Sequence, residues 1–360
     1  MNFFAVFMSV FSVLGAIDRI IGNRFGLGKQ FEKGFQMFAP AALSMIGMIV
    51  LAPLLADLLQ PILHFMATTL KMEPSILPAT LFANDMGGTA LAQQTATGPA
   101  IGRYNGFIVA AMMGVTVSFT VPLALTMVKK EQHKDMLLGF LCGIITIPVG
   151  CFVGGPMMGI PLGALLWDLL PLLIFAAVLA CCLWFFPNTT IKVFQVLGSA
   201  IRILITIGLA IGIVEFLTGY NPLAGKVDGL ESGADICVNA CVVYTGTLPF
   251  LHILSKLLDR PLKWLGSKLG INETAALGFV SSLATSVTTY GIMENMDRKG
   301  VVLNSAFTIS AAFVFASHLA FTMAMDTAAI VPVIVSKLVA GLCAVVLAFF
   351  VFKKFSQKTL

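Results

Sequence analysis

Apolar runs of helix length, separated by short charged or glycine-containing breaks, dominate this chain. A helix needs about 20 largely apolar residues to span the bilayer core. Eleven segments meet or approach that length, at 2–22, 36–59, 74–98, 104–128, 136–154, 162–186, 196–218, 233–256, 272–294, 303–325 and 329–352. Two of them differ from the rest. Segment 74–98 carries Asn84-Asp85-Met86-Gly87-Gly88 in its middle and Gln93-Gln94 soon after, and segment 272–294 carries Ser281-Ser282, Thr285-Ser286 and Thr288-Thr289. Polar or glycine-rich backbone at that depth is tolerated only where protein buries it or a wet cavity meets it. The pattern therefore predicts helices that cross, with two broken elements among them.

Composition makes the membrane the solvent. Of the 360 residues 58% are hydrophobic and 11% charged, with a mean hydropathy of +0.96, whereas a soluble domain carries about 25% charged residues. So few charges could not cover a globule in water. A disordered chain, a secreted disulfide scaffold and a nucleic-acid binder are excluded on the same figures, and the net charge of +5 is scattered rather than gathered in a patch. None of the seven cysteines belongs to a C-x-x-C pair, and the four histidines show no metal-ligand spacing, so neither metal nor cofactor is expected. Phe3 and Phe4 follow Met1 with no basic start and no small-residue cleavage site, which reads as a retained helix.

The distribution of Lys and Arg tests whether the two polar segments cross. If all eleven cross, the two sides collect ten and nine basic residues, which is no bias. If 74–98 and 272–294 enter and leave on one side as helical hairpins, Lys71, Arg103 and Lys226 stand alone against sixteen. Arg19, Arg202 and Lys337 lie within spans and are not counted; Lys337 must either snorkel or find an internal partner. The second arrangement gives nine crossings plus two hairpins, an external N-terminus and a cytoplasmic C-terminus, in an all-α polytopic membrane protein.

A repeat points the same way. At an offset of 200, Leu54, Leu58, Pro61, Glu73, Leu77, Thr89, Phe107, Ala111 and Ala124 meet identical residues in the second half. Each half reads helix, helix, hairpin, helix, helix, and an odd number of crossings separates them, which inverts the second. The expected division is 1–155 for the first repeat, 156–195 for a connecting helix and 196–360 for the second repeat. Inverted repeats with broken elements at the midplane are a signature of secondary transporters.

Polar residues inside a membrane are few because each is costly, so they are the candidates for function. Asn84 and Asp85 sit at the expected tip of the first hairpin, where Asp85 serves either a substrate or as a helix cap. Gln93 and Gln94 end that hairpin. Thr285, Ser286, Thr289 and Tyr290 belong to the second, and Glu294 and Asn295 end it. His318 in segment ten and Asn239 in segment eight complete the set, with Tyr244 of the same rank as Asn239. Asp57, Asp168 and Glu215 read as interfacial. No nucleophile elbow, Walker loop or metal-ligand cluster supports an enzyme.

At Phe82-Ala83-Asn84-Asp85-Met86-Gly87-Gly88, at Glu294-Asn295-Met296-Asp297, at Ala311-Ala312-Phe313-Val314-Phe315 and at His318-Leu319-Ala320-Phe321, the sequence resembles the bacterial ethanolamine-utilisation permease family. The likeness runs over essentially the whole chain. It implies a permease of the bacterial inner membrane that brings in ethanolamine for catabolism, with ethanolamine and membrane lipid as its partners. Nucleic acid is not expected as one, and monomer and homo-oligomer are both open. A cation site in lipid needs a carboxylate or an aromatic face. Asp85 would supply the charge, Asn84, Gln93 or Gln94 the hydroxyl contact, and Thr289 and Tyr290 the closure. A facilitator driven by gradient and potential is the first expectation. A proton- or sodium-coupled carrier of a nucleoside or another small polar solute, on architecture resembling concentrative nucleoside transporters, and a gated channel stand as the alternatives.

Overall fold

The computed structural model describes residues 3–356 apart from 222 and 224. Met1, and Lys358 of the charge tally, lie outside them. Every regular element among the described residues is helical. In chain order they are α1 (Phe3–Ile20), α2 (Leu27–Gln36), α3 (Phe38–Thr68), α4 (Ile76–Leu81), α5 (Gly88–Thr95), α6 (Pro99–Tyr104), α7 (Val121–Met127), α8 (His133–Met157) and α9 (Leu162–Phe185). They continue as α10 (Pro187–Thr218), α11 (Leu230–Leu269), α12 (Glu273–Ala284), α13 (Ser286–Ile292), α14 (Arg298–Ala311), α15 (Ser317–Met325) and α16 (Ile330–Ser356). From α6 to α7 the chain stays helical through two π-helical stretches, Asn105–Gly114 and Thr116–Thr120, so 99–127 is one rod.

Among the described residues, eight helices are long and apolar enough to cross a membrane: 3–20, 27–68, 99–127, 130–157, 162–185, 187–218, 230–258 and 327–354. They match eight of the eleven apolar segments. The remaining three are 74–98, 272–294 and 303–325, each too broken to qualify. The third of these is a correction. Segment 303–325, expected as one helix, is two helices, α14 and α15, with an irregular turn over 312–316 in which Phe313 takes φ +65°. Segment eight also differs, running on as α11 well past residue 256.

Burial follows the lipid. The faces of α1, α9 and α10 are mostly apolar and exposed, as expected of helices solvated by hydrocarbon. The interior lies where α8, α14, α16 and the π-helical stretch pack together, and every residue of α14 from Gly300 to Ala311 is buried. Asp168, read from sequence as interfacial, is 2% exposed and accepts from Asn105 Nδ2 at 3.0 Å. The interface reading failed because Asp168 lies on a face of α9 that packs inward, which distance from a span end does not report.

The two polar segments are each tied at their ends. The Glu73 carboxylate accepts from the N–H groups of Ser75 and Thr97 and from the Thr97 hydroxyl, joining the entry to α4 with the exit from α5. Asn272 N–H donates to Asp297 Oδ1 at 2.9 Å and its side chain donates to the Asn295 carbonyl at 2.8 Å, joining the entry to α12 with the exit from α13. The rod 99–127 separates these ties. Arg103, beside the first, pairs with Asp326 at 2.6 Å. Beyond the rod's other end Lys129 pairs with Glu294 at 2.7 Å and Arg298 with Asp135 at 2.9 Å.

Gly87 turns the chain between α4 and α5 at φ +90°, which an L side chain rarely adopts, and a Cβ there would lie 1.9 Å from Met48 Cγ. Strain of this kind costs about 1–3 kcal/mol, and overlap with a packed neighbour adds to it. Gly87→Ala is expected to lower the thermal midpoint of the purified protein by several degrees, measured in detergent against the wild-type chain.

Candidate functional site

The site begins where helices stop. After α4 the chain extends at Phe82 and Ala83, makes a single 3-10 turn over Asn84–Met86 and re-enters a helix at Gly88. The break is held from outside. Ala83 N–H donates to Ser118 Oγ at 3.1 Å. The π-helical rod meets the turn at Gly114, where a Cβ would lie 2.0 Å from the Phe82 carbonyl oxygen. Between α12 and α13, Thr285 is extended and its hydroxyl accepts from Val287 N–H at 3.2 Å. The turn after α14 bonds to this second break: Phe313 and Phe315 donate their N–H groups to the Ser282 and Leu283 carbonyls, both at 3.0 Å.

These breaks border a cavity of about 820 Å³. Asp85 and Met86 reach it from the first break, Thr285 from the second, and Phe313, Ser317 and His318 from the third. Tyr244 of α11 joins them. Ser317, Asp85 and Tyr244 all line this cavity. His318 is 0% exposed and tilts against Phe313 with ring centroids 5.4 Å apart, and neither ring nitrogen meets a hydrogen-bond partner. The cavity extends past Thr288 and Ile292 to Gln30, Lys33, His252 and Ser255. That is the end of the bundle holding the Lys129–Glu294 and Arg298–Asp135 pairs.

A smaller cavity of about 220 Å³ lies on the other side of the same turn. It is lined by Asn84, Gly87, Gln93, Gln94, Asp228 and Ser232, with Ile49, Phe321 and Met325 among its apolar walls. Asn84 is fully buried and neither its oxygen nor its nitrogen has a partner. In the loop before α11, partial burial pushes the Asp228 carboxyl above its ordinary pKa. Neighbours in sequence thus face opposite cavities, with Asn84 and Gly87 toward one and Asp85 and Met86 toward the other.

The sequence matches the family described as ethanolamine utilisation protein EutH over residues 2–351. The chain belongs to the EutH family. It is similar to the probable ethanolamine permease EutH of Listeria monocytogenes, 41% identical over 351 residues that cover 98% of this chain and 94% of the relative. The probable ethanolamine permease EutH of Salmonella typhimurium is 35% identical over 375 residues, covering 94% of this chain and 92% of the relative. An uncharacterized protein of Bacillus subtilis, YxeR, is 36% identical over 337 residues, covering 94% and 91%. No solved structure matches this chain.

Not all the residues singled out from sequence gather in this member of the EutH family. Asp85, Thr285 and His318 line the large cavity, and Asn84, Gln93 and Gln94 the small one. Ser286 is buried behind the second break with its hydroxyl unpartnered. Thr289 bonds Ser282 Oγ at 3.0 Å and the Gly278 carbonyl at 3.2 Å, and Tyr290 bonds Thr308 Oγ1 at 3.0 Å, so both hold α13 against α12 and α14 rather than face a cavity. Glu294 is exposed and paired with Lys129, whose pKa it raises through their hydrogen bond. Asn295 uses its carbonyl in the tie to Asn272, and Asn239 is exposed and lines neither cavity. Ser317 was missed because nothing distinguishes it from the hydroxyls that bond back to their own helix. Lys337 was visible only as an unexplained charge. It is 1% exposed and donates to the Ala111 carbonyl at 2.5 Å.

His318 and Asn105 are both fully buried, but only Asn105 has protein partners, Ser75 and Asp168. Losing a buried hydrogen-bonding group that others rely on costs about 1–3 kcal/mol, whereas removing an unpaired one relieves a penalty. Thermal midpoints should separate them: Asn105→Ala is expected to fall below wild type, and His318→Leu to match or exceed it.

Proposed function

We propose that this chain is a permease of the bacterial inner membrane that takes up ethanolamine as the ethanolammonium cation. The observation that carries the reading is Asp85, a carboxylate facing a cavity deep in a lipid-solvated bundle, with Ser317, Tyr244 and an unpartnered His318 around it. A buried carboxylate with no bonded cation attracts one. The aromatic rings of Tyr244, Phe119 and Phe313 line the same cavity and offer faces to an ammonium. Hydroxyl and imidazole groups nearby suit the alcohol end. The EutH relatives named as probable ethanolamine permeases agree with this substrate.

The architecture we infer is two inverted repeats, divided at 1–155, 156–195 and 196–360, with re-entrant hairpins at 74–98 and 272–294. The two end ties support it, because each brings the entry and exit of its segment together. So do matched contacts near the offset of 200: Asn105 donates to Ser75, and Asn304 donates to the Ala275 carbonyl. Lys33 lines the large cavity and Lys129 and Arg298 lie at that end of the bundle, with Lys71 and Arg103 toward the other. With the excess of basic residues inside, this cavity faces the cytoplasm, the small one faces outward, and the N-terminus is external. The 84–87 turn then divides an outer vestibule from an inner one. No coupling ion is required, because an inside-negative potential favours entry of one positive charge by about 2.3 kcal/mol per 100 mV, roughly fiftyfold accumulation.

Uptake of labelled ethanolamine into proteoliposomes under a potassium-diffusion potential, without pH or sodium gradients, tests the proposal. Accumulation is expected to follow the potential, and Asp85→Asn to abolish it while the protein still inserts and folds. Uptake only with a proton or sodium gradient would replace the facilitator with a coupled carrier. Wild-type uptake by Asp85→Asn would remove the carboxylate from the site.

A further inference from the structure

The small cavity has a buried floor and an open rim. Asn84, Gly87 and Phe321 are buried, whereas Gln93, Gln94 and Ser232 are exposed. Asp228, half-buried, joins the wall from the loop before α11, and its N–H donates to the Val50 carbonyl at 3.0 Å, which holds that loop against α3. None of the other lining residues is charged, so Asp228 makes the cavity net negative and fit for a cation. At the floor, the Asn84 side chain is 0% exposed, and neither its amide oxygen nor its amide nitrogen meets a protein partner. A buried amide in that position is costly until something both donates to it and accepts from it. A metal ion would answer the oxygen and leave the nitrogen unpaired, and an apolar group would answer neither. A hydroxyl answers both. The volume of about 220 Å³ lies below the roughly 300–1,000 Å³ of pockets that take drug-sized ligands, which suits a solute of a few heavy atoms.

We propose that the small cavity is a second binding site for a short amino alcohol, separate from the one at Asp85: the Asp228 carboxylate takes the ammonium and the Asn84 amide takes the hydroxyl. The inference rests on the reading of this chain as an ethanolammonium permease and adds a site to it. Asn84 and Asp85 are consecutive residues facing opposite cavities, so the two sites stand back to back across the 84–87 turn. Each combines one carboxylate with uncharged polar groups. Gln93 and Gln94 at the rim carry amide oxygens that replace water around the ammonium as it enters. Two sites in series let the first capture the cation from dilute solution and hold it one turn of chain from the second.

Titration calorimetry on the purified full-length protein in detergent, with ethanolamine hydrochloride as the ligand, counts the sites. Wild type is expected to bind two per chain, Asp85→Asn one, and Asp85→Asn combined with Asp228→Asn none. In the Asp85→Asn chain, ethylamine hydrochloride, which lacks the hydroxyl, is expected to bind on the order of tenfold more weakly than ethanolamine, and adding Asn84→Leu to make the two equal. Should Asn84→Leu fail to fold, Asn84→Ala takes its place. One ligand per chain in wild type, lost in Asp85→Asn and kept by Asp228→Asn, leaves the small cavity to water: it overturns the second site while the Asp85 reading stands. One ligand kept by Asp85→Asn and lost in Asp228→Asn upholds the small-cavity site and removes Asp85 instead. Two ligands still bound by Asp228→Asn overturn the proposal. So does binding of sodium chloride in place of ethanolamine at Asp228, which would make the cavity a metal-ion site. No binding of ethanolamine by wild type overturns both this site and the substrate reading.

Discussion

Hydrocarbon offers no hydrogen bonds, so each place where a helix breaks must be completed by other parts of the protein. Three breaks meet at the large cavity, after Leu81, at Thr285 and after Ala311, and each is completed by another element. Ser118 receives the N–H of Ala83, and the Ser282 and Leu283 carbonyls receive those of Phe313 and Phe315. The second and third breaks thus satisfy one another. Because a break must be answered by a neighbour, breaks cluster. The cluster is where polar side chains, short helix ends and a cavity coincide, and Asp85, Ser317 and His318 come together there.

The same scarcity of water sorts the charges. At the end of the bundle Lys129–Glu294 lies exposed, where solvent screens it, while Arg298 is exposed over a buried Asp135. Charges in the interior are bonded by neutral groups: Asp168 by Asn105, and Lys337 by a backbone carbonyl.

Much of the fold was legible in the sequence. Runs of apolar residues marked eight helices, though several run well past the expected limits, because a membrane helix must carry a continuous apolar surface and that requirement is local. Asn84-Asp85-Met86-Gly87-Gly88 stood out for the same reason, since polar and glycine residues at mid-span need a purpose. The break at 312–316 was not legible. Ala311-Ala312-Phe313-Val314-Phe315 is as apolar as any helix, and its unwinding depends on the carbonyls of Ser282 and Leu283 waiting some 30 residues earlier in the chain. The π-helical turns of 105–120 gave no local sign either, because their wider winding answers the packing of the neighbours around them.

Site residues divide along the same line. Sequence by itself determined which side chains were costly in lipid, and Asp85, Asn84 and His318 were marked on that ground. Tertiary structure alone decided which of them share a cavity. It placed Asp85 with Ser317 and Tyr244, sent Asn84 to the opposite face of the same turn, and turned Thr289 and Tyr290 inward to bond α12 and α14. It also buried Lys337, whose ammonium donates to the Ala111 carbonyl 226 positions earlier in the chain. Cost is a property of one residue in one solvent, and the chain carries it openly. Proximity depends on how separate helices pack, and no single stretch of sequence contains it.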